Sequence, residues 1–179
     1  FAADMDSDGD MDILSASTHD RTIAWYENNG AADPSWTAAD IATSAAGATS
    51  VFAADMDSDG DMDILSASFT DDAIAWYENN GAADPSWTAV DIATSANAAY
   101  SVFAADMDSD GDMDILSAST HDKTIAWYEN NGAADPSWTA ADITISANGA
   151  SSVFAADMDN DGDMDILSAN SSADAIAWY

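Results

Sequence analysis

Five aspartates fall within nine residues at the start of the chain. Asp4-Met5-Asp6-Ser7-Asp8-Gly9-Asp10-Met11-Asp12 has the form D-x-D-x-D-G-x-x-D. Carboxylates at positions 1, 3, 5 and 9 (Asp4, Asp6, Asp8 and Asp12) can converge on one cation. Asp10, at position 7, is placed to offer its backbone carbonyl, and Gly9 allows the sharp turn that wraps the loop. Every donor is a hard oxygen. That set suits calcium and suits zinc or copper poorly, while magnesium prefers fewer protein ligands and a stricter octahedron. An EF-hand begins in a similar way, but it needs a Glu at position 12 and flanking helices. Here position 12 is Ser15.

The loop returns three times. The second copy carries Asp55, Asp57, Asp59, Asp61 and Asp63, and the third carries Asp106, Asp108, Asp110, Asp112 and Asp114. The fourth carries Asp157, Asp159, Asp161, Asp163 and Asp165, with Asn160 where the other copies have Ser. At ~4 Å and an effective dielectric of ~20, each like-charge pair costs on the order of 4 kcal/mol. Four such loops at fixed register call for a neutralising ion, which gives one Ca²⁺ per repeat and four in all. Four divalent ions would take the formal charge from −32 to about −24.

Elements of fixed register must hold these loops. Phe1, Phe52, Phe103 and Phe154 open successive copies of a unit of about 51 residues. Residues 1–51, 52–102 and 103–153 are complete copies, and 154–179 is a partial fourth. In the second copy, Ser50 to Asp55 reads as a short apolar strand and 55–63 as the polar loop. Asp63 to Ser68, Ala73 to Asn79 and Trp87 to Ile92 read as three further strands. Asn80-Gly81 opens a turn that runs through Asp84-Pro85. No segment has a helical period. Four short strands joined by tight turns make an antiparallel meander, and repeated meanders become propeller blades or an open β array. A single unit is too small to bury its own apolar face, so neighbours must cover it.

Composition narrows the function classes. Asp and Glu number 34 against two basic residues, Arg21 and Lys123, so nucleic-acid binding and docking on anionic membranes are disfavoured. Seven Trp in a chain that is 47% hydrophobic exclude a disordered acidic tail. No apolar run is long enough for membrane insertion, and without cysteine there is no disulfide or thiolate site. The chain starts at a repeat and stops inside one, which reads as an excerpt of a longer polypeptide.

Trp25, Trp36 and their equivalents are expected to pack between units rather than to form a sugar-stacking platform. Tyr26 and its equivalents are expected to be partly exposed. His19 and His121 recur with no partner and read as solvated loop residues. Identical Asp loops in every copy argue for metal ligands rather than a glycosidase acid–base pair. No nucleophile motif or phosphate loop occurs, so an enzyme is not expected. Asn170-Ser171-Ser172 is the one N-x-S/T sequence and falls in a variable connection, which makes Asn170 a candidate for glycosylation.

The Asp loop between short strands, followed by Ile-Ala-Trp-Tyr-Glu-Asn at this period, resembles the FG-GAP/VCBS repeats of bacterial surface proteins and integrin α-subunit heads. The resemblance spans the whole chain. It implies a β-propeller, typically seven-bladed, with calcium in the hairpin loop between the first and second strands of each blade. It carries ligand roles onto Asp4, Asp6, Asp8 and Asp12, with Asp10 through its carbonyl, and onto the matching residues of the other copies. The expected protein is extracellular or at the cell surface, calcium-stabilised, and structural or adhesive. A carbohydrate- or protein-binding module of a larger surface protein is the alternative. The expected partners are other copies of the chain, neighbouring repeats, glycans or surface proteins. Fewer than four copies leave three assemblies open: two chains closing one ring, further repeats closing it, or an open stack growing into a filament.

Overall fold

In the computed structural model, which describes residues 1–179, the chain is all-β and contains no helix. Sheet 1 comprises β1 (Ala2–Ala3), β2 (Asp12–Ser17), β3 (Thr22–Asn28) and β4 (Trp36–Ala42). Sheet 2 comprises β5 (Ala48–Ala54), β6 (Asp63–Ser68), β7 (Ala73–Asn79) and β8 (Trp87–Ala93). Sheet 3 comprises β9 (Ala99–Ala105), β10 (Asp114–Ser119), β11 (Thr124–Asn130) and β12 (Trp138–Thr144). Sheet 4 has three strands, β13 (Ala150–Ala156), β14 (Asp165–Asn170) and β15 (Ala175–Trp178). Strands pair antiparallel in chain order within every sheet, as blade-type meanders require. In the second unit β6 and β7 have the bounds read from sequence, while β5 begins two residues earlier than expected and β8 ends one later.

The sheets stack face to face in an open array, and three separate cores fill the spaces between them. Leu14, Ile23 and Trp25 of sheet 1 meet Ala53, Ile64 and Tyr77 of sheet 2. Leu65, Ile74 and Trp76 leave the other side of sheet 2 to meet Val102, Ile115 and Tyr128. Leu116 and Ile125 meet Val153 and Ile166 in the third core. Alternate residues of one strand therefore enter different cores, because side chains alternate faces along a strand. The consequence is visible in two copies of the same hexapeptide. Asp-Ile-Leu-Ser-Ala-Ser is buried at all six positions in β6, whereas in β2 Ile13 is 40% exposed against 0% for Ile64.

This two-sided burial corrects one expectation. Tyr77 and Tyr128 are buried, because the face opposite Trp76 and Trp127 is covered by the preceding unit. Trp25 and Trp76 lie between sheets as expected, while Trp36 is exposed. Along the first strands of the sheets, Phe1 (just before β1), Phe52, Phe103 and Phe154 form a continuous ladder with ring centroids 4.6, 4.8 and 4.7 Å apart. Tilted aromatic pairs at such spacing attract beyond their simple area burial.

One polar residue per unit also fastens neighbours. Asn79 is buried, and its Nδ2 donates to Met62 O of its own unit at 3.0 Å and to Met5 O of the preceding unit at 3.1 Å. Its Oδ1 accepts from Gly81 N, so both donors and the acceptor oxygen are engaged. Asn130 repeats the arrangement, reaching Met56 O at 2.8 Å and Met113 O at 3.1 Å. Asn28 donates only to Met11 O, within its own unit. Asn79→Asp should therefore cost about 2–4 kcal/mol, since two carbonyls lose their donor and one of them is buried. Asn28→Asp should cost about 1 kcal/mol. Urea midpoints in calcium measure both, and equal losses would remove the inter-unit role.

Candidate metal centres

Each Asp loop connects the first and second strands of its sheet, so the four loops stack along one side of the array. The β3–β4 turns and their equivalents share that side. The β2–β3 hairpins and inter-unit linkers lie on the other. Within the loop the backbone folds over its own carboxylates. Asp4 Oδ1 accepts from Asp8 N at 3.2 Å and Asp4 Oδ2 from Gly9 N at 3.0 Å. Asp6 Oδ1 accepts from Asp8 N, and Asp8 Oδ1 from Asp10 N. The same pattern recurs around Asp55, Asp106 and Asp157.

Two backbone positions with positive φ make this winding possible. The fourth loop residue is left-handed in every copy, at φ 60 for Ser7, 61 for Ser58, 63 for Ser109 and 62 for Asn160. The glycine at position 6 lies at φ 95 to 101. A Cβ there would meet nothing within 4 Å, so conformation rather than space demands glycine.

Three carboxylates of each loop converge. One ligand oxygen from each of Asp4, Asp6 and Asp8 lies within 4.8 Å of the others. The same holds for Asp55, Asp57 and Asp63, for Asp106, Asp108 and Asp110, and for Asp157, Asp159 and Asp165. Positions 1 and 3 are gathered in every unit, joined by position 5 in the first and third and by position 9 in the second and fourth, and each cluster could hold a metal ion. The donor set is entirely carboxylate and carbonyl oxygen, which fits a hard divalent cation. The position-7 side chains of Asp10, Asp61, Asp112 and Asp163 are not gathered in. Asp10, Asp61 and Asp112 lean against Gly30, Gly81 and Gly132 of the neighbouring turn, where any Cβ would collide with the carboxylate. Position 7 is left its carbonyl as the available donor.

Position 9 has a second task that its spacing does not reveal. Asp63 is buried, and its two oxygens accept from Met56 N at 3.0 Å and Asn79 N at 2.8 Å. Asp12 and Asp114 do the same with Met5 and Asn28, and with Met107 and Asn130. Asp165 holds Met158 N. This carboxylate therefore ties the metal loop to the end of the third strand. The sequence reading places the first Asn of Glu-Asn-Asn-Gly only as the last residue of the third strand. Its recurrence 16 residues after the last Asp of each of the first three loops is the signal that could have marked it as part of the site.

Asn170 is corrected by the structure. It is the last residue of β14 rather than part of the connection, is 5% exposed, and accepts a hydrogen bond from Ser168 Oγ. The strand end packs the residue away from solvent in the folded chain.

Burial pushes the Asp63 carboxyl up to about 7, against the two N–H donors and the Trp76 indole, which favour its charged form. The Trp76 N–H lies beside the carboxylate without closing to hydrogen-bond geometry. Burial also raises Asp114, Asp6 and Asp57, and in the last two the neighbouring loop aspartates push the same way. A pKa raised in the folded state makes folding take up protons. The resulting stability is complete below the unfolded value of about 4 and is lost as pH rises through about 7. The melting temperature of metal-free protein should therefore rise as pH falls from 8 to 5. Saturating calcium, which holds the carboxylates ionised, should abolish or reverse that rise. Circular dichroism melts measure both, and a metal-free melting temperature that falls over this range would contradict the account.

The repeat architecture has known counterparts. A family model described as an FG-GAP-like repeat matches three times, over residues 4–66, 55–117 and 106–168. Each match begins on the first aspartate of one loop and ends in the second strand of the next sheet, so each spans two successive loops. No curated protein matches the chain in sequence. With the matches together covering 4–168, and with an Asp loop joining the first two strands of every sheet, the chain belongs to the FG-GAP-like repeat family.

Proposed function

We propose that the chain is a non-enzymatic, calcium-stabilised extracellular repeat protein with a structural or adhesive role, each of its four Asp loops holding one Ca²⁺. The observation that carries this is the buried Asp63 carboxylate, shared between a metal loop and the strand that meets the preceding unit. An ion in the loop would supply the charge that such burial otherwise lacks. Extracellular calcium modules bind at ~10⁻⁴–10⁻³ M, a range in which the surrounding medium keeps them filled. With calcium tenfold above Kd, each site adds roughly 1.4 kcal/mol, and four add roughly 6 kcal/mol. That is comparable with the whole stability of a typical domain. Near-identical units also present equivalent surfaces, which favours self-association with other copies or with further repeats into a filament.

Chelation should lower the melting temperature by ten degrees or more, and calcium should restore it better than equimolar magnesium. Electron micrographs of the same samples should show fibrils that depend on calcium. An unchanged melt in excess chelator would sink the proposal.

A second reading, a carbohydrate- or protein-binding module, is favoured by one cluster that breaks the repeat. Phe69 packs edge-on against Tyr100 at 6.4 Å and against His121 at 5.2 Å, on the side of the array away from the Asp loops. Tyr100 and His121 are exposed there. A glycan array probed with wild type and Tyr100→Ala separates the readings. Glycan binding that the substitution abolishes would establish this one.

A further inference from the structure

Two clefts open where consecutive sheets diverge, outside the metal loops. The first, of about 320 Å³, lies between sheets 1 and 2, with Ser68, Asp71, Tyr77 and Asp91 on its wall. The second, of about 490 Å³, lies between sheets 2 and 3 and presents the matching Ser119, Asp122, Tyr128 and Asp142. Alanines make up most of the remaining apolar lining of both.

The polar groups in these clefts are unusually short of partners. Tyr77 is 5% exposed and Tyr128 6%, yet the hydroxyl of each is left facing its cleft. Ser66 and Ser117, each 1% exposed, lie on the same sheet face as the cleft-lining Ala75 and Ala126 with which they pair. Their hydroxyls have no hydrogen-bond partner. Ser66 Oγ stands beside the Tyr77 phenol and favours its ionised form, but the two do not reach hydrogen-bond geometry. Asp71 commits one oxygen to the Ala46 amide, and Asp122 commits one to the Asn97 amide and accepts weakly from Thr124 N at 3.3 Å with the other. Asp91 and Asp142 are exposed at the cleft mouth. The Tyr77 hydroxyl is raised first by burial and then by the charges of Asp91 and Asp71, so both carboxylates act on it.

We propose that each cleft binds a primary alkylammonium group, its methylenes against the alanine walls and its three N–H donors shared among the two carboxylates and the tyrosine hydroxyl. The two carboxylates and the hydroxyl offer one acceptor group for each of the three donors. The two negative charges and the chain's net charge of −32 select a cation, and the apolar lining selects one with a hydrocarbon stem. The same chemistry is carried by a lysine side chain or a free aliphatic amine. The surroundings of the clefts differ at one charged position, by two unit charges: the residue after Asp71 is Asp72, and the residue after Asp122 is Lys123. The first cleft should therefore bind more tightly. The inference does not rest on the metal assignment, because the clefts share no residue with the Asp loops.

The test is a titration of the full chain with n-butylammonium at fixed ionic strength, with saturating calcium present, followed by calorimetry and by the tyrosine resonances. Two saturable sites per chain are expected. Tyr77→Phe with Tyr128→Phe, which leaves the charge unchanged, should weaken binding at least fivefold. Asp91→Asn with Asp142→Asn should weaken it at least tenfold. Asp33→Asn with Asp84→Asn, in exposed turns on the other side of the array, should change it less than twofold. If the tyrosine pair fails to fold by circular dichroism, the Asp91 and Asp142 pair decides. No saturable binding, equal losses in the cleft and control aspartate pairs, or binding of methyl glucoside in place of the amine would overturn the proposal.

Discussion

A carboxylate at the ninth position of each Asp loop is the junction of the unit. Asp63 accepts one amide from its own metal loop and another from the end of β7. The residue that gives the second amide, Asn79, reaches back to Met5 inside the metal loop of the preceding unit. One buried charge thus links a loop, a sheet and a neighbouring sheet. Burying a carboxylate is costly unless hydrogen bonds and a counter-charge accompany it. Two amides supply the first. An ion in the loop would supply the second. The raised pKa of Asp63 measures how incompletely amides alone satisfy it.

That junction explains why the array is built from such thin parts. A four-stranded meander of six- and seven-residue strands has two faces to bury and little else. Three cores, each made by two consecutive sheets, replace the single core of an ordinary domain. Small residues at the contact, chiefly alanine, let the sheets approach. The Phe ladder and the Asn bridges fix the register between them. The side of the array away from the metal loops is under weaker constraint. It is there that the copies diverge and that Phe69, Tyr100 and His121 gather.

Much of the site was legible because its geometry is local. The D-x-D-x-D-G-x-x-D spacing alone brings the carboxylates together, and the loop amides that fold over them come from the same nine residues. Gly9 and its equivalents were legible for the same reason, since only the backbone conformation of the loop is involved. Asn79 was not legible as part of the site, because its partner Met5 lies 74 residues away. Asn170 was misplaced by a single position at a strand end, enough to turn an exposed loop amide into a buried one.

By itself the sequence determined the period, the strands, the Asp loops and their acidity, all of which arise from contacts within a few tens of residues. It could not determine burial, because the same residues recur in every copy. Ile13 and Ile64 sit in identical hexapeptides, and only the packing of a sheet on either side of the second makes it core. Tyr77 follows the same rule, buried by the unit that precedes it, whereas the hydrogen bonds of Asp63 come from its own unit and recur at Asp12. Tertiary structure decided these properties because desolvation depends on what covers a group, and in a stack of repeats the cover always comes from another copy.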